Sequence, residues 1–267
     1  MKSERDQTLL LTACRPDAVA ESALEAHYRT TLDDEERARA DRFHFDRDRR
    51  LYVASHALVR LALADAVPTI EPANWRFVRN AYGKPSVASG EAGEVRFNLS
   101  HTRGMAVVGI AWGRAIGIDI ESLDRKRGPG DPAELERLAD RFFAPAEAAA
   151  VRAAPPAAKT EAFFVRWTLK EAYIKARGMG VSLPLDRFAW TVAAAERALS
   201  LWTDPSLADP PDHWDAWCCA VPPAFRVALA VERLDAPSPP EPRLFITDLA
   251  DGVDEQPLRV LARTREE

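Results

Sequence analysis

Glu171 and Lys175 stand four residues apart in the stretch Trp167 to Gly180, WTLKEAYIKARGMG. Helical spacing sets them on one face with Trp167, so an aromatic ring, a carboxylate and an ammonium project together. Gly178, just past the run, can take the left-handed conformation that ends a helix. Upstream, an apolar run delivers Asp119, Ile120 and Glu121 at its end, and strand alternation puts the two acids side by side on one face. Like charges a few ångströms apart raise one another's pKa, and a bound cation relieves them. Asp119, Glu121 and Glu171, with Lys170 and Lys175 close to the third, form an oxygen-only ligand set. Such a set suits a hard cation such as Mg²⁺, which takes a few carboxylates and leaves positions for water and phosphate. A phosphate-bearing substrate follows. The same residues also allow a plainer reading, an amphipathic helix with a solvated Glu/Lys face and two acids facing solvent after a strand.

Composition narrows the chemistry. The five histidines (His27, His44, His56, His101 and His213) show no ligand spacing for zinc, and the three cysteines, two of them the adjacent Cys218 and Cys219, form neither a disulfide framework nor a C-x-x-C pattern. With 36 Lys plus Arg against 41 Asp plus Glu, the net charge of −5 argues against a general nucleic-acid binder. Any anionic ligand must therefore meet a local basic cluster. The 267 residues, 47% hydrophobic, can bury one large core or two intimate halves. The apolar run near the N-terminus is too brief for a signal peptide, and no stretch of about 18 apolar residues occurs, so a soluble cytoplasmic protein without membrane attachment is expected.

The elements that must position these groups can be read in order. Thr31 opens a short helix with acids in its first turn and arginines later. From Asp46, Leu51, Ala54, Leu58 and Leu61 recur at helical spacing up to Val67-Pro68, and the opening of that helix is basic, with Arg47, Arg49 and Arg50. Residues 74–79 alternate as a half-buried strand, followed by a turn holding Gly83-Lys84-Pro85. Phe97 to His101 ends a second strand. Met105 to Trp112 and Ala115 to Ile120, separated by Gly113-Arg114, read as a hairpin. Ser122 to Gly130 is a loop and a natural boundary between halves. Asp131-Pro132 caps a helix, Ala144-Pro145 starts another, and a long helix runs from about Ala158 to Arg177. Strands are expected over 185–192, 214–221 and 225–234; the proline-rich tail from Ala236 is weakly patterned. With strands in hairpins and no βαβ alternation, the fold class is α+β with mainly antiparallel sheets. The expected division is 1–120, 121–235 and a tail, 236–267.

Phe97-Asn98-Leu99-Ser100-His101, Gly117-Ile118-Asp119-Ile120-Glu121 and Trp167-Thr168-Leu169-Lys170-Glu171-Ala172-Tyr173-Ile174-Lys175 resemble, in order and separation, the motifs of the 4′-phosphopantetheinyl transferases of the surfactin type. The Gly83-Lys84-Pro85 turn, the basic helix around Arg50, and Gly178-Met179-Gly180 with Leu183-Pro184 extend the resemblance over about Asp33 to Leu234. It implies two similar α+β halves related by a pseudo-two-fold axis, with coenzyme A in the cleft between them. It also implies an activity: transfer of the 4′-phosphopantetheine arm of coenzyme A to a serine of an acyl or peptidyl carrier protein, releasing 3′,5′-ADP. By motif position Asp119, Glu121 and Glu171 would hold Mg²⁺. Lys175 would neutralise phosphate, while Ser100 and His101 would contact the 3′-phosphate or ribose. Lys84, Arg50 and Lys170 would add phosphate contacts, with Arg49 an equal alternative to Arg50. Glu171 is the candidate base, directly or through a metal-bound water. Trp167 is read as packing, and Arg166 and Arg177 as the solvated remainder of their helix. A monomer is expected, with a carrier-docking patch at Arg137, Arg141 and Arg152. The alternatives are another Mg²⁺-dependent phosphoryl or phosphodiester enzyme, and a non-catalytic coenzyme A or carrier-binding module.

Overall fold

A computed structural model describes residues 9–88, 94–124, 130–193, 197–233, 242–249, 253–256 and 258–264. The described elements are β1 (Leu10–Cys14), α1 (Glu21–Thr30), α2 (Asp34–Ala40), α3 (Asp46–Ala66), β2 (Phe77–Arg79), β3 (Pro85–Val87), β4 (Val95–Thr102), β5 (Met105–Trp112) and β6 (Ile116–Ser122). There follow α4 (Pro132–Phe142), α5 (Pro145–Ala153), α6 (Pro156–Arg177), β7 (Phe188–Ala193), β8 (Ala198–Thr203), β9 (Trp214–Val221), β10 (Phe225–Glu232), β11 (Arg243–Thr247), β12 (Val253–Gln256) and β13 (Arg259–Arg263). The chain divides into two compact units, residues 1–113 with 239–257 and residues 114–238 with 258–267. Each sets one long helix against a mainly antiparallel sheet, so the α+β class with two similar halves holds.

In the first unit the sheet order is β12-β11-β1-β5-β4, with α3 packed on β5 and β1. The apolar spacing read from Leu51 onward corresponds to the face of α3 that buries Ala54, Leu58 and Ala62 in the core with Val108 and Ile110 of β5. Arg60, fully buried on the same helix, donates to Glu36 (2.8 Å), to Asp33 (2.6 Å) and to the Trp75 carbonyl (3.1 Å). A buried guanidinium is tolerated because carboxylates and carbonyls meet its fixed fork of donors. Asp33, rather than Thr31, caps α2 in a reciprocal capping box with Glu36. The strand expected over 74–79 is shorter, because Trp75 is buried at the exit of a 3₁₀ turn and pairing begins only at Phe77.

The second unit holds the sheet β6-β10-β9-β13-β8-β7, and α6 lies across β6 and β10. The hairpin expected from 105–112 and 115–120 does not form. β5 pairs with β4 and β1, whereas β6 pairs with β10. The separation begins at Gly113, whose φ of 63° is easy for glycine alone; its N–H bonds to Glu94 O, while Ala115 N–H two residues later bonds to the Glu232 carboxylate. Gly113-Arg114 is thus the crossing between units rather than a hairpin turn, and the units divide there instead of after residue 120. Two apolar runs, each buried on both faces, satisfy a two-sheet topology as well as a hairpin. The tail is not a separate segment: β11 runs parallel to β1, and β13 completes the second sheet between β9 and β8.

Candidate active site

Strand β6 and helix α6 place the carboxylates. Alternation puts Gly117, Asp119 and Glu121 on one face of β6, and the first of these lies against α6. A Cβ at Gly117 would fall well inside contact distance of the Ala172 carbonyl oxygen and Ala176 amide nitrogen, and 2.9 Å from the Ala176 Cα. Helix backbone therefore rests directly on strand backbone. Glu171 and Lys175, each one position before one of these alanines, are carried by this contact to the level of Asp119. Lys175 Nζ donates to Asp119 Oδ1 at 2.6 Å, with Asp119 buried and Lys175 part-exposed. Burial raises the Glu171 pKa, the Asp119 charge raises it further, Lys175 lowers it in part, and Glu121 adds a smaller upward push. The two acids of β6 and the acid of α6 thus interact electrostatically where the helix crosses the strand.

The helix is fixed at both ends of this stretch. Gly178 ends α6 in the left-handed conformation (φ 66°), with its N–H on the Ile174 carbonyl at 2.9 Å. Asp209 accepts from the Tyr173 hydroxyl, from Arg177 (2.6 Å) and from Trp214 Nε1 (2.8 Å). Arg177, expected in solvent, is in this network because the last helical turn packs against the residues preceding β9. Arg166 is likewise half-buried rather than solvated, donating to the Ala162 carbonyl. Trp167 packs as expected, stacked on Phe163 at 5.9 Å between ring centroids.

Lys170, expected among the phosphate contacts, does not join Glu171 and Lys175 at β6. It is fully buried, donating to Glu147 at 2.5 Å and to the Phe188 carbonyl at 2.6 Å. One residue along a helix turns the side chain by about 100°, so Lys170 faces α5 and β7 while Glu171 faces β6. Glu147 also accepts from the Trp190 N–H (2.9 Å) and the Ala144 N–H (3.2 Å), binding α5, α6 and β7 through one carboxylate. Lys170→Ala leaves that carboxylate buried without its cation and is expected to cost about 3–5 kcal/mol in denaturant unfolding; a loss below about 1 kcal/mol would show the pair to be dispensable.

The remaining nucleotide-contact candidates lie in the first unit and the docking patch in the second. Ser100 and His101 are neighbours on β4, paired with Val107 and Ala106, so they project to opposite faces; Ser100 is buried and His101 exposed. Lys84 follows Gly83 (φ 86°) in a turn held by the Asn80 side chain, which accepts from the Lys84 N–H at 2.9 Å. Burial, and secondarily the Arg96 charge, brings the Lys84 pKa down to about 8. Arg50 is bonded to Glu21 and to the Val19 carbonyl, and Arg49 lies over the Tyr28 ring at 5.2 Å from its centroid. Arg50 thus serves at least as an anchor of α3 to the segment before it. Of the docking patch, Arg152 is paired with Asp140 and Arg141 covers the Phe142 ring.

Three contributors were missed in the sequence. Gly117 had a signal, since a glycine two residues before an acid on a strand faces the same side, and Ala172 and Ala176 at helical spacing are its counterpart. Glu147 and Asp209 had none, because each is joined to α6 only by tertiary packing. Among the described residues no helix is long and apolar enough to cross a membrane, and no group of three or more His, Cys, Asp or Glu side chains is arranged to hold a metal ion.

Comparison with known proteins agrees with this division. Residues 21–111 match the family model described as 4′-phosphopantetheinyl transferase, N-terminal, and residues 115–222 match that of the 4′-phosphopantetheinyl transferase superfamily. The chain is similar to the 4′-phosphopantetheinyl transferase HetI of Nostoc sp., with 38% identity over 154 residues, 57% of this chain and 62% of that protein. A phosphopantetheinyl transferase of Thraustochytrium sp. is 33% identical over 175 residues, 64% of this chain and 60% of that protein. A 4′-phosphopantetheinyl transferase of Bacillus subtilis is 36% identical over 155 residues, 58% of this chain and 64% of that protein. The matched stretch thus spans less than two thirds of the length of each. With models of one enzyme group matching on either side of the Gly113-Arg114 crossing, the chain belongs to the 4′-phosphopantetheinyl transferase superfamily.

Proposed function

We propose that this chain transfers the 4′-phosphopantetheine group of coenzyme A to a serine of an acyl or peptidyl carrier protein, in a Mg²⁺-dependent reaction that releases 3′,5′-ADP. The observation that carries the reading is the shared site of Asp119, Glu121, Glu171 and Lys175 where α6 crosses β6. Three carboxylates against one ammonium leave an excess of negative charge, and at Glu171 burial first and the Asp119 charge second raise the pKa. An oxygen-only set with unbalanced negative charge fits a divalent hard cation in its chemistry, although the side chains do not stand as a ready ligand cluster. Asp119, Glu121 and Glu171 would hold the ion, which when bound supplies charge stabilisation to a pyrophosphate.

The chain's own groups do the rest. The carrier serine attacks the β-phosphorus of coenzyme A, the phosphoanhydride bond breaks, and 3′,5′-ADP leaves with the electron pair. Lys175 neutralises negative charge on the phosphates as that bond breaks. Glu171 is the candidate base and takes the serine proton directly or through water. Lys84, Ser100 and His101 contact the nucleotide. The order and spacing of the three motifs support the surfactin type within the superfamily, acting as a cytoplasmic monomer.

Lys84 gives this reading a pH dependence. Its ammonium is lost as pH rises through about 8, so the KM for coenzyme A is expected to climb above that pH. In Lys84→Arg the KM stays flat to about pH 10, because arginine keeps its charge. A wild-type KM that does not change between pH 7 and 9.5 would remove Lys84 from the phosphate contacts. The reaction itself is tested by incubating the protein with coenzyme A, Mg²⁺ and a panel of apo carrier proteins and weighing the carriers. A mass gain of one phosphopantetheine is expected; no gain with any carrier overturns the assignment.

A further inference from the structure

We propose that the second unit holds a further ligand site, a cavity of about 850 Å³ that binds an aliphatic carboxylate with its chain inward and its head group on Arg166. Small side chains at the end of one helix and the start of the next create the space. Ala150 and Ala154 at the end of α5, and Ala158 and Ala162 one turn apart on α6, present only methyl groups, where a helix covering a sheet ordinarily places larger apolar groups. Val165, Val260 and Ala262 form further apolar wall, the last two on β13. The volume lies in the range of small-molecule sites, and such sites combine apolar walls with a few polar groups that fix orientation.

The charges set the class of ligand. Arg166, Arg197 and Arg259 line the cavity, and the one acid among its lining residues, Glu161, is already bonded to Arg226 through Nε (3.0 Å) and Nη2 (2.5 Å). Arg166 uses one guanidinium nitrogen on the Ala162 carbonyl at 2.9 Å. A planar carboxylate meets a guanidinium through two parallel N–H bonds. A neutral apolar molecule would offer the three guanidinium groups of the wall no counter-charge, and a compact anion would leave the apolar walls wet. The molecule that answers both is a single carboxylate on an aliphatic chain. The inference is independent of the transfer reaction.

Calorimetric titration of the full chain at pH 7 with decanoate, decanol and decylammonium tests it. Decanoate is expected to bind saturably at one per chain, decanol about tenfold more weakly, and decylammonium not measurably. Arg166→Gln should bring decanoate to the level of decanol and leave decanol unchanged, and Ala162→Phe, which fills the cavity, should abolish both. Absence of saturable decanoate binding to the wild-type chain overturns the proposal, as does equal binding of all three probes. Full binding in Ala162→Phe would move the ligand elsewhere and overturn it also. If either variant fails to fold by thermal melt, the head-group series on the wild-type chain decides alone.

Discussion

Replacing Gly117 with alanine is expected to lower kcat/KM for carrier modification by at least about 100-fold, although the new side chain is a single methyl group and touches no substrate. The three nearest atoms the methyl would meet all belong to the backbone of α6: the Ala172 carbonyl oxygen, the Ala176 amide nitrogen and the Ala176 Cα. Side chains at a tight contact turn aside, but a helix backbone does not, so α6 must shift away from β6 by about an ångström. A displacement of that size in a catalytic constellation costs about 10²-fold. Lys175 would draw back from Asp119, and the upward push that Asp119 exerts on the Glu171 pKa would weaken. Overpacking adds about 1–3 kcal/mol of destabilisation. The readouts are the carrier mass assay with thermal unfolding beside it: a folded variant with the stated loss supports backbone contact as what positions the site. A folded variant with near-normal transfer would show that α6 is not held by Gly117.

Much of this arrangement was legible before the fold was known because it depends on local periodicity. Helical spacing sets Glu171 and Lys175 on one face, and strand alternation pairs Asp119 with Glu121; neither relation needs a tertiary contact. The same logic failed where partners come from far along the chain. The runs 105–112 and 115–120 looked like a hairpin, but the hydrogen bonds of β6 go to β10, more than a hundred residues later, and those of β5 go to β4 and β1. Strand order of that kind is fixed by which apolar faces bury one another, and periodicity does not record it. Lys170 shows the limit at one residue: adjacent to Glu171 in sequence, it points to another layer and meets Glu147. The tail strands β11 to β13 were missed because their pattern is short, and their pairing with β1, β9 and β8 gives them their place.

Glu171→Gln is expected to reduce transfer by about 10³-fold while leaving the metal-free protein at least as stable as the wild type at pH 8, a pairing of effects that a structural role would not produce. The loss of activity follows if the site works as proposed, because a negative charge is then removed where charge is stabilised and a proton taken. The stability effect follows from linkage. Burial and the Asp119 charge raise the Glu171 pKa above its ordinary 4.5, so the folded state holds that proton more tightly than the unfolded chain. This contribution is fully present below pH 4.5 and is lost as pH rises through the raised folded value. Glutamine is never ionised and avoids the loss. The variant should therefore melt above the wild type at pH 8, by about 2–4 °C for each kcal/mol in a chain of this size, and the gap should close toward pH 4. Mg²⁺ reverses the order: at 100 times its Kd a ligand stabilises the protein it binds by about 2.7 kcal/mol, so wild type should gain several degrees with Mg²⁺ and the variant much less. Equal Mg²⁺ shifts in the two proteins would show that Glu171 is not a ligand. A variant that melts lower than wild type at pH 8 without metal would mean the charge is compensated within the fold, and transfer within tenfold of wild type would remove Glu171 from the reaction.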